Sequence, residues 1–258
     1  MTYVSRPSPN FDARTRPIDL IVLHYTGMQD AETALRRLTD PAPVAGDYPG
    51  PWQGPNVMKD ASLPRVSVHY VIDEEGKVYS LVPEEHRAWH AGHGSWEGEG
   101  DVNARSIGIE IVNGGHDFGL PDFTNAQIEG VIALIKDIFA RWSALNPSRV
   151  VGHSDIATER KADPGEKFPW RRLANADVSI WPDKVLSQPH VDDTVSRAQV
   201  QLAAFGYDVK QTGFVDANTK AAVVAFQRRF RQSNLDGTLD EETLNLIAAV
   251  AKLKPVVL

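Results

Sequence analysis

The chain of 258 residues contains no cysteine. That excludes a thiol nucleophile, a thiolate metal site and any disulfide framework, so a metal would have to sit on His, Asp or Glu. No apolar run approaches the roughly 20 residues of a membrane-spanning helix, and the start, Met1-Thr2-Tyr3-Val4-Ser5-Arg6-Pro7, lacks the basic stretch and apolar run of a secretory signal. Basic residues are also in deficit, with 27 Lys and Arg against 34 Asp and Glu for a net charge of −7. The deficit lies wholly in residues 1–190, which carry 19 basic and 26 acidic residues, whereas residues 191–258 balance at 8 and 8. Without a basic face, a nucleic-acid partner is disfavoured. The 17 prolines and 19 glycines are too few for a fibrous or disordered chain, and 42% hydrophobic residues suffice for a sizeable core.

Length favours one larger domain and one smaller. The stretch Trp181-Pro182-Asp183-Lys184-Val185-Leu186-Ser187-Gln188-Pro189-His190 has two prolines and no sustained period, so it reads as a connection. The expected division is a larger domain over 1–182, a linker over 183–192 and a small domain over 193–258. Behind the linker, Gly213-Phe214-Val215-Asp216-Ala217-Asn218-Thr219 recurs 24 residues later as Gly237-Thr238-Leu239-Asp240-Glu241-Glu242-Thr243. In each copy the Asp can cap a helix and the Thr falls at its third position. Apolar residues at helical spacing follow each cap: Ala222, Val223, Phe226 and Phe230, then Leu244, Ile247 and Val250. With an earlier helix through Val195, Ala198, Leu202 and Phe205, this makes a three-helix module. Its Gly206-Tyr207 and Phe226-Gln227 pairs and its Asp-x-x-Thr caps resemble the peptidoglycan-binding domain of bacterial wall hydrolases.

The larger segment alternates strands and helices. Ile18–Tyr25, Val66–Asp73, Val78–Val82, Ser106–Val112 and Val150–His153 read as strands. A long helix with Ile128, Val131, Ile132, Ile135, Ile138, Phe139 and Trp142 on one face opens at the capping box Thr124–Gln127. The expected fold class is α/β: a mixed central sheet flanked by helices, followed by a small three-helix domain. Residues 41–65, with Trp52 and Met58, form a long Pro- and Gly-containing loop expected to wall part of a cleft.

His24 and His153 each close an apolar strand, and Asp163 follows ten residues after His153. Two imidazoles and a carboxylate can hold zinc and leave a fourth position for water. From spacing alone, the same three residues read more readily as two hydrogen-bonded core histidines and a turn-capping aspartate. Glu110 stands among Ile107, Ile109 and Ile111, where desolvation would raise its pKa; otherwise it is a strand carboxylate facing water. His69 reads as structural, and Arg105 as a solvated arginine more than a partner for a peptide carboxylate.

Leu23-His24-Tyr25-Thr26, Ala88-Trp89-His90-Ala91-Gly92, Ser106-Ile107-Gly108-Ile109-Glu110, Gly152-His153-Ser154-Asp155 and Arg160-Lys161-Ala162-Asp163-Pro164-Gly165 occur in the order found in the zinc-dependent N-acetylmuramoyl-L-alanine amidases of the type 2 amidase family. This resemblance spans roughly residues 15–182. It implies that His24, His153 and Asp163 ligate one Zn²⁺, that Glu110 is the catalytic carboxylate and that Lys161 is the cation beside the metal. Trp89 and His90 fall on the family's substrate-groove segment. The implied reaction hydrolyses the amide between N-acetylmuramic acid, or its 1,6-anhydro form, and L-alanine of the stem peptide, in wall recycling or remodelling. The presence of Asp163 speaks for an active enzyme against an inactive wall-binding or sensing protein; a metallopeptidase cutting within the stem is a third reading. The unprocessed-looking start points to the cytoplasm, and the wall-binding module to the periplasm if an export signal has been removed.

Overall fold

The computed structural model describes residues 1–48, 58–187 and 193–253. Among the described residues there are eight strands: β1 (Val4–Ser5), β2 (Phe11–Ala13), β3 (Leu20–Tyr25), β4 (Tyr70–Ile72), β5 (Val78–Ser80), β6 (His86–Ala88), β7 (Ser106–Ile111) and β8 (Val150–Gly152). Six of them form one sheet in the order β1-β5-β4-β7-β3-β8, and β2 pairs with β6 apart from it. The sheet is mixed, as expected: β3 runs parallel to β7 and β8, and β4 parallel to β7, while β4 and β5 are antiparallel. Strand β3, between β7 and β8, is buried along Leu20–His24, which is why it reads as an unbroken apolar run in place of an alternating one.

The helices are α1 (Ala31–Thr39), α2 (Val102–Arg105), α3 (Asn125–Arg141), α4 (His153–Ile156), α5 (Trp170–Asn175), α6 (Thr194–Phe205), α7 (Ala217–Phe230) and α8 (Glu241–Ala251). Both halves of the capping box form at α3: Thr124 Oγ1 accepts from the Gln127 N–H at 3.1 Å, and Gln127 Oε1 accepts from the Thr124 N–H at 2.9 Å. Asp216 and Asp240 cap α7 and α8 by accepting from Thr219 and Thr243, as the repeat predicts. No helix among the described residues is long and apolar enough to cross a membrane.

Three expectations are adjusted. The strand at 66–73 shortens to β4, and β8 ends at Gly152, so His153 opens α4 instead of closing a strand. Arg105 is buried, not solvated: its Nε donates to Asp19 Oδ1 at 2.7 Å, and Glu97 stands 3.6 Å from its Nη2. Of the 41–65 loop, residues 49–57, including Trp52, lie outside the described residues, and so do 188–192 of the expected linker.

One face of the sheet packs on α3 through Ile21, Leu23, Ile107, Ile109, Val131 and Ile135. On the other side, Leu20, Val22 and Val151 belong to the same buried cluster as Leu202, Phe205, Phe226 and Ile247 of the three-helix module. The module is therefore not tethered at a distance; it completes a core. Trp96, fully buried, lies edge-on to Phe205 and Tyr207 at 5.5 and 5.3 Å. The chain passes the indole at Gly206, where φ is +138° and a Cβ would come within 2.4 Å of the Trp96 ring, so only glycine fits.

Candidate metal centre and active site

Parallel strands deliver the site. His24 and Glu110 are register partners on β3 and β7, and β8 runs beside β3 to leave His153 just past its end. All three therefore reach the carboxyl ends of neighbouring parallel strands, where open α/β sheets place their ligands. Asp163 arrives from the following loop, which is tied to α4 by the Ser154 N–H donating to the Asp163 carbonyl at 2.8 Å.

His24 Nδ1, His153 Nδ1 and Asp163 Oδ2 form a triangle with sides of 3.0, 2.9 and 3.0 Å. The three residues are buried, and they are the one group of His, Asp and Glu found among the described residues that could hold a metal ion. The donor chemistry fits a cation. His153 Nε2 sits 2.9 Å from the Ala91 carbonyl oxygen, which can only accept, so Nε2 carries the proton and in the neutral ring, the form that ligates a metal, Nδ1 faces Asp163 as a bare lone pair. Two acceptors, an imidazole nitrogen and a carboxylate oxygen, then face each other at 3.0 Å with nothing donated between them. Ligands of a tetrahedral ion with bonds of about 2.0–2.1 Å stand roughly 3.3 Å apart, close to the observed triangle.

Burial pushes His24 down to about 4, so it stays neutral and available as a ligand.

Beside the triangle a cavity of about 420 Å³ is lined by Trp89, His90, Glu110, Arg160 and Lys161, with the three metal-type residues at its floor. Glu110 is half-buried at the cavity wall, and its Oε2 is buried without a hydrogen-bond partner. Burial, reinforced by Asp163, pushes it well above the usual carboxylate range, and Lys161 pulls the other way. A partnerless carboxylate at a cavity wall is suited to holding and releasing a proton. Trp89 spends its indole N–H on Asp12 at 2.7 Å and offers the cavity its ring, over whose face Arg65 lies at 5.1 Å. His90 lines the cavity as well, with both ring nitrogens engaged by His24 and Ser106. His69 is structural as expected: its Nδ1 accepts from the Gly108 N–H at 2.9 Å.

Other residues of the site give no signal in sequence. Arg160 donates to the Ala91 carbonyl at 2.8 Å, beside His153. At the rim, the Tyr25 hydroxyl meets His116 Nδ1 at 2.9 Å across 91 residues of chain. Asp155 is 1% exposed and accepts from the Gly152 N–H at 2.8 Å, the Tyr207 hydroxyl at 2.7 Å and Arg229 Nη1 at 2.9 Å. Two of those three donors belong to the helical module, and Gly152 immediately precedes His153.

A sheet end that gathers two imidazoles, a carboxylate and a partnerless glutamate around one cavity is a candidate metal site of the hydrolase type. Residues 14–166 match the N-acetylmuramoyl-L-alanine amidase family, and residues 191–247 match a peptidoglycan binding domain family. The chain belongs to the N-acetylmuramoyl-L-alanine amidase family. It is 35% identical over 246 residues to the N-acetylmuramoyl-L-alanine amidase AmiD of Escherichia coli, covering 90% of this chain and 82% of AmiD. It is 32% identical over 178 residues to the 1,6-anhydro-N-acetylmuramyl-L-alanine amidase AmpD of Haemophilus influenzae, covering 66% of this chain and 89% of AmpD. Its fold is similar to that of E. coli AmiD in complex with the substrate anhydro-N-acetylmuramic acid-L-Ala-D-γ-Glu-L-Lys, with a TM-score of 0.72 at 32% identity over 94% of this chain and 92% of the other. AmpDh3 from Pseudomonas aeruginosa in complex with anhydromuramic pentapeptide gives 0.70 at 31% identity over 92% of each chain.

Proposed function

We propose that this protein hydrolyses the amide between N-acetylmuramic acid, or its 1,6-anhydro form, and L-alanine of the stem peptide, at a zinc centre held by His24, His153 and Asp163. The observation that carries this reading is the partnerless Glu110 beside three converging donor atoms in one cavity. Relatives of similar fold bind anhydromuropeptides in the complexes named above, which supports the substrate class.

When bound, zinc supplies a Lewis acid that polarises the amide carbonyl and makes water a nucleophile near neutral pH. Glu110 accepts the proton of the attacking water and hands it to the departing L-alanine amine. Its raised proton affinity suits the second half of that task, because a proton must be held before it is delivered. The Lys161 ammonium, on the same cavity wall, compensates the negative charge that grows on the carbonyl oxygen. Trp89 gives the substrate an apolar wall beside the sugar–peptide junction. We assign residues 1–182 to catalysis and 193–258 to holding peptidoglycan, with 183–192 between them.

The test is product analysis. Zinc-loaded protein incubated with soluble anhydromuropeptide should release an intact peptide with a free L-alanine amine, identified by mass, and chelation should abolish the release. Products that keep L-alanine on the sugar would make the protein a stem-cutting metallopeptidase. No cleavage of anhydromuropeptide or of intact sacculi would leave a binding protein.

A further inference from the structure

We propose that His90 is a positioning residue for the metal ligand His24, fixing its tautomer and ring orientation through a one-way chain of hydrogen bonds anchored on a backbone carbonyl. The inference rests on the zinc reading above. Ser106 Oγ lies 2.6 Å from the Val102 carbonyl oxygen. A carbonyl only accepts, so the hydroxyl hydrogen is committed there. Ser106 Oγ is left as an acceptor 3.3 Å from His90 Nε2, which must therefore carry the proton. His90 Nδ1 is then a bare lone pair, 3.0 Å from His24 Nε2, which in turn must be the protonated nitrogen of its ring. His24 Nδ1 is thereby left bare, facing His153 Nδ1 and Asp163 Oδ2. Each link fixes the next, and the only tautomer of His24 compatible with all of them offers Nδ1 to a cation.

The fold invests in holding His90 there. The N–H groups of His90 and Ala91 both donate to Asn103 Oδ1, at 3.0 and 2.8 Å, so α2 clamps the segment. The imidazole lies against Gly108 of β7, where a Cβ would come within 2.6 Å of the ring. Gly108 is thus a seat for His90, required by close approach and not by a turn. His90 and His24 meet edge to face with ring centres 5.1 Å apart.

Outer partners of a ligating imidazole typically change metal affinity by about 10–100-fold. Zinc affinity is measured by chelator competition on the full chain for wild type, His90→Ala and His90→Asn, with the melting temperature of each zinc-free form beside it. His90→Ala should lower affinity by about 10–100-fold. His90→Asn, whose side-chain oxygen takes the place of Nδ1 as acceptor, should recover most of the loss even if His90→Ala folds poorly. Imidazole ¹⁵N spectra of the zinc-free wild type should show His24 protonated at Nε2. Equal zinc affinity in all three proteins, or an Asn variant no better than Ala, overturns the positioning role. So does a rise in KM with affinity unchanged, which would make His90 a substrate contact. A wild type that takes up no zinc while His24 is still protonated at Nε2 removes the zinc reading and leaves the hydrogen-bond chain standing.

Discussion

His24 and His153 meet at 3.0 Å, yet they are held from opposite directions. His24 is secured within the larger domain, by β3 along its backbone and by His90 and Ser106 at its ring. His153 has its ring fixed by the Ala91 carbonyl, while the backbone beneath it is pinned by Asp155, which Tyr207 and Arg229 reach from the helical module. Arg229 is itself 1% exposed, lies 4.3 Å over the Trp170 ring and donates to the Val150 carbonyl at 3.0 Å. The difference teaches that a module assigned to wall binding also braces the backbone beneath one ligand of the candidate metal centre. Catalytic geometry and module docking are one problem in this chain, not two.

The largest expected effect comes from cutting the support of the His153 half. Arg229→Met leaves Asp155 buried without its counter-ion and should cost about 3–5 kcal/mol in urea unfolding, with zinc affinity falling as well. Tyr207→Phe removes one neutral donor to the same carboxylate and should cost about 1–2 kcal/mol. If Arg229→Met lost stability but bound zinc as wild type does, the module would support the fold without supporting the site.

A smaller effect separates fold from site by pH. Burial tends to raise Glu84, but hydrogen bonds from Arg141, Trp142 and Tyr70 outweigh it and hold its carboxyl below the usual range. A lowered folded value means that the stabilisation is complete above the unfolded value of about 4.3 and is lost as pH falls through the folded one. The melting temperature of Glu84→Gln should therefore fall less steeply than wild type as pH drops from 6 to 3. Parallel curves would show that acid acts elsewhere, in which case the two halves of the site become the place to look.

The sequence marks the parts of this molecule whose signal is local. The β3 and β7 runs, the Thr124–Gln127 box and the Asp216 and Asp240 caps are each written in a few adjacent residues, and each forms as read. His24, His153 and Asp163 converge as the motif order implied. What escaped reading was long-range pairing. Arg229 gives no signal in its own stretch of sequence, and it is the buried partner of Asp155, 74 residues away. Arg105 looks solvated until Asp19, 86 residues distant, arrives beside it. The short pair β2 and β6 has no alternation to betray it, being exposed along β2 and made by contact with each other. His90 shows its neighbours only once β3 and β7 are side by side.

The central claim is a division of labour at the sheet end: His153 holds metal, and Glu110 moves a proton. Metal content and turnover measured together for Glu110→Ala and His153→Ala test it most directly. The account predicts that Glu110→Ala keeps its zinc and loses turnover by about 10²–10⁴-fold, whereas His153→Ala loses both. Full activity in Glu110→Ala, or zinc retained at wild-type affinity in His153→Ala, would contradict it.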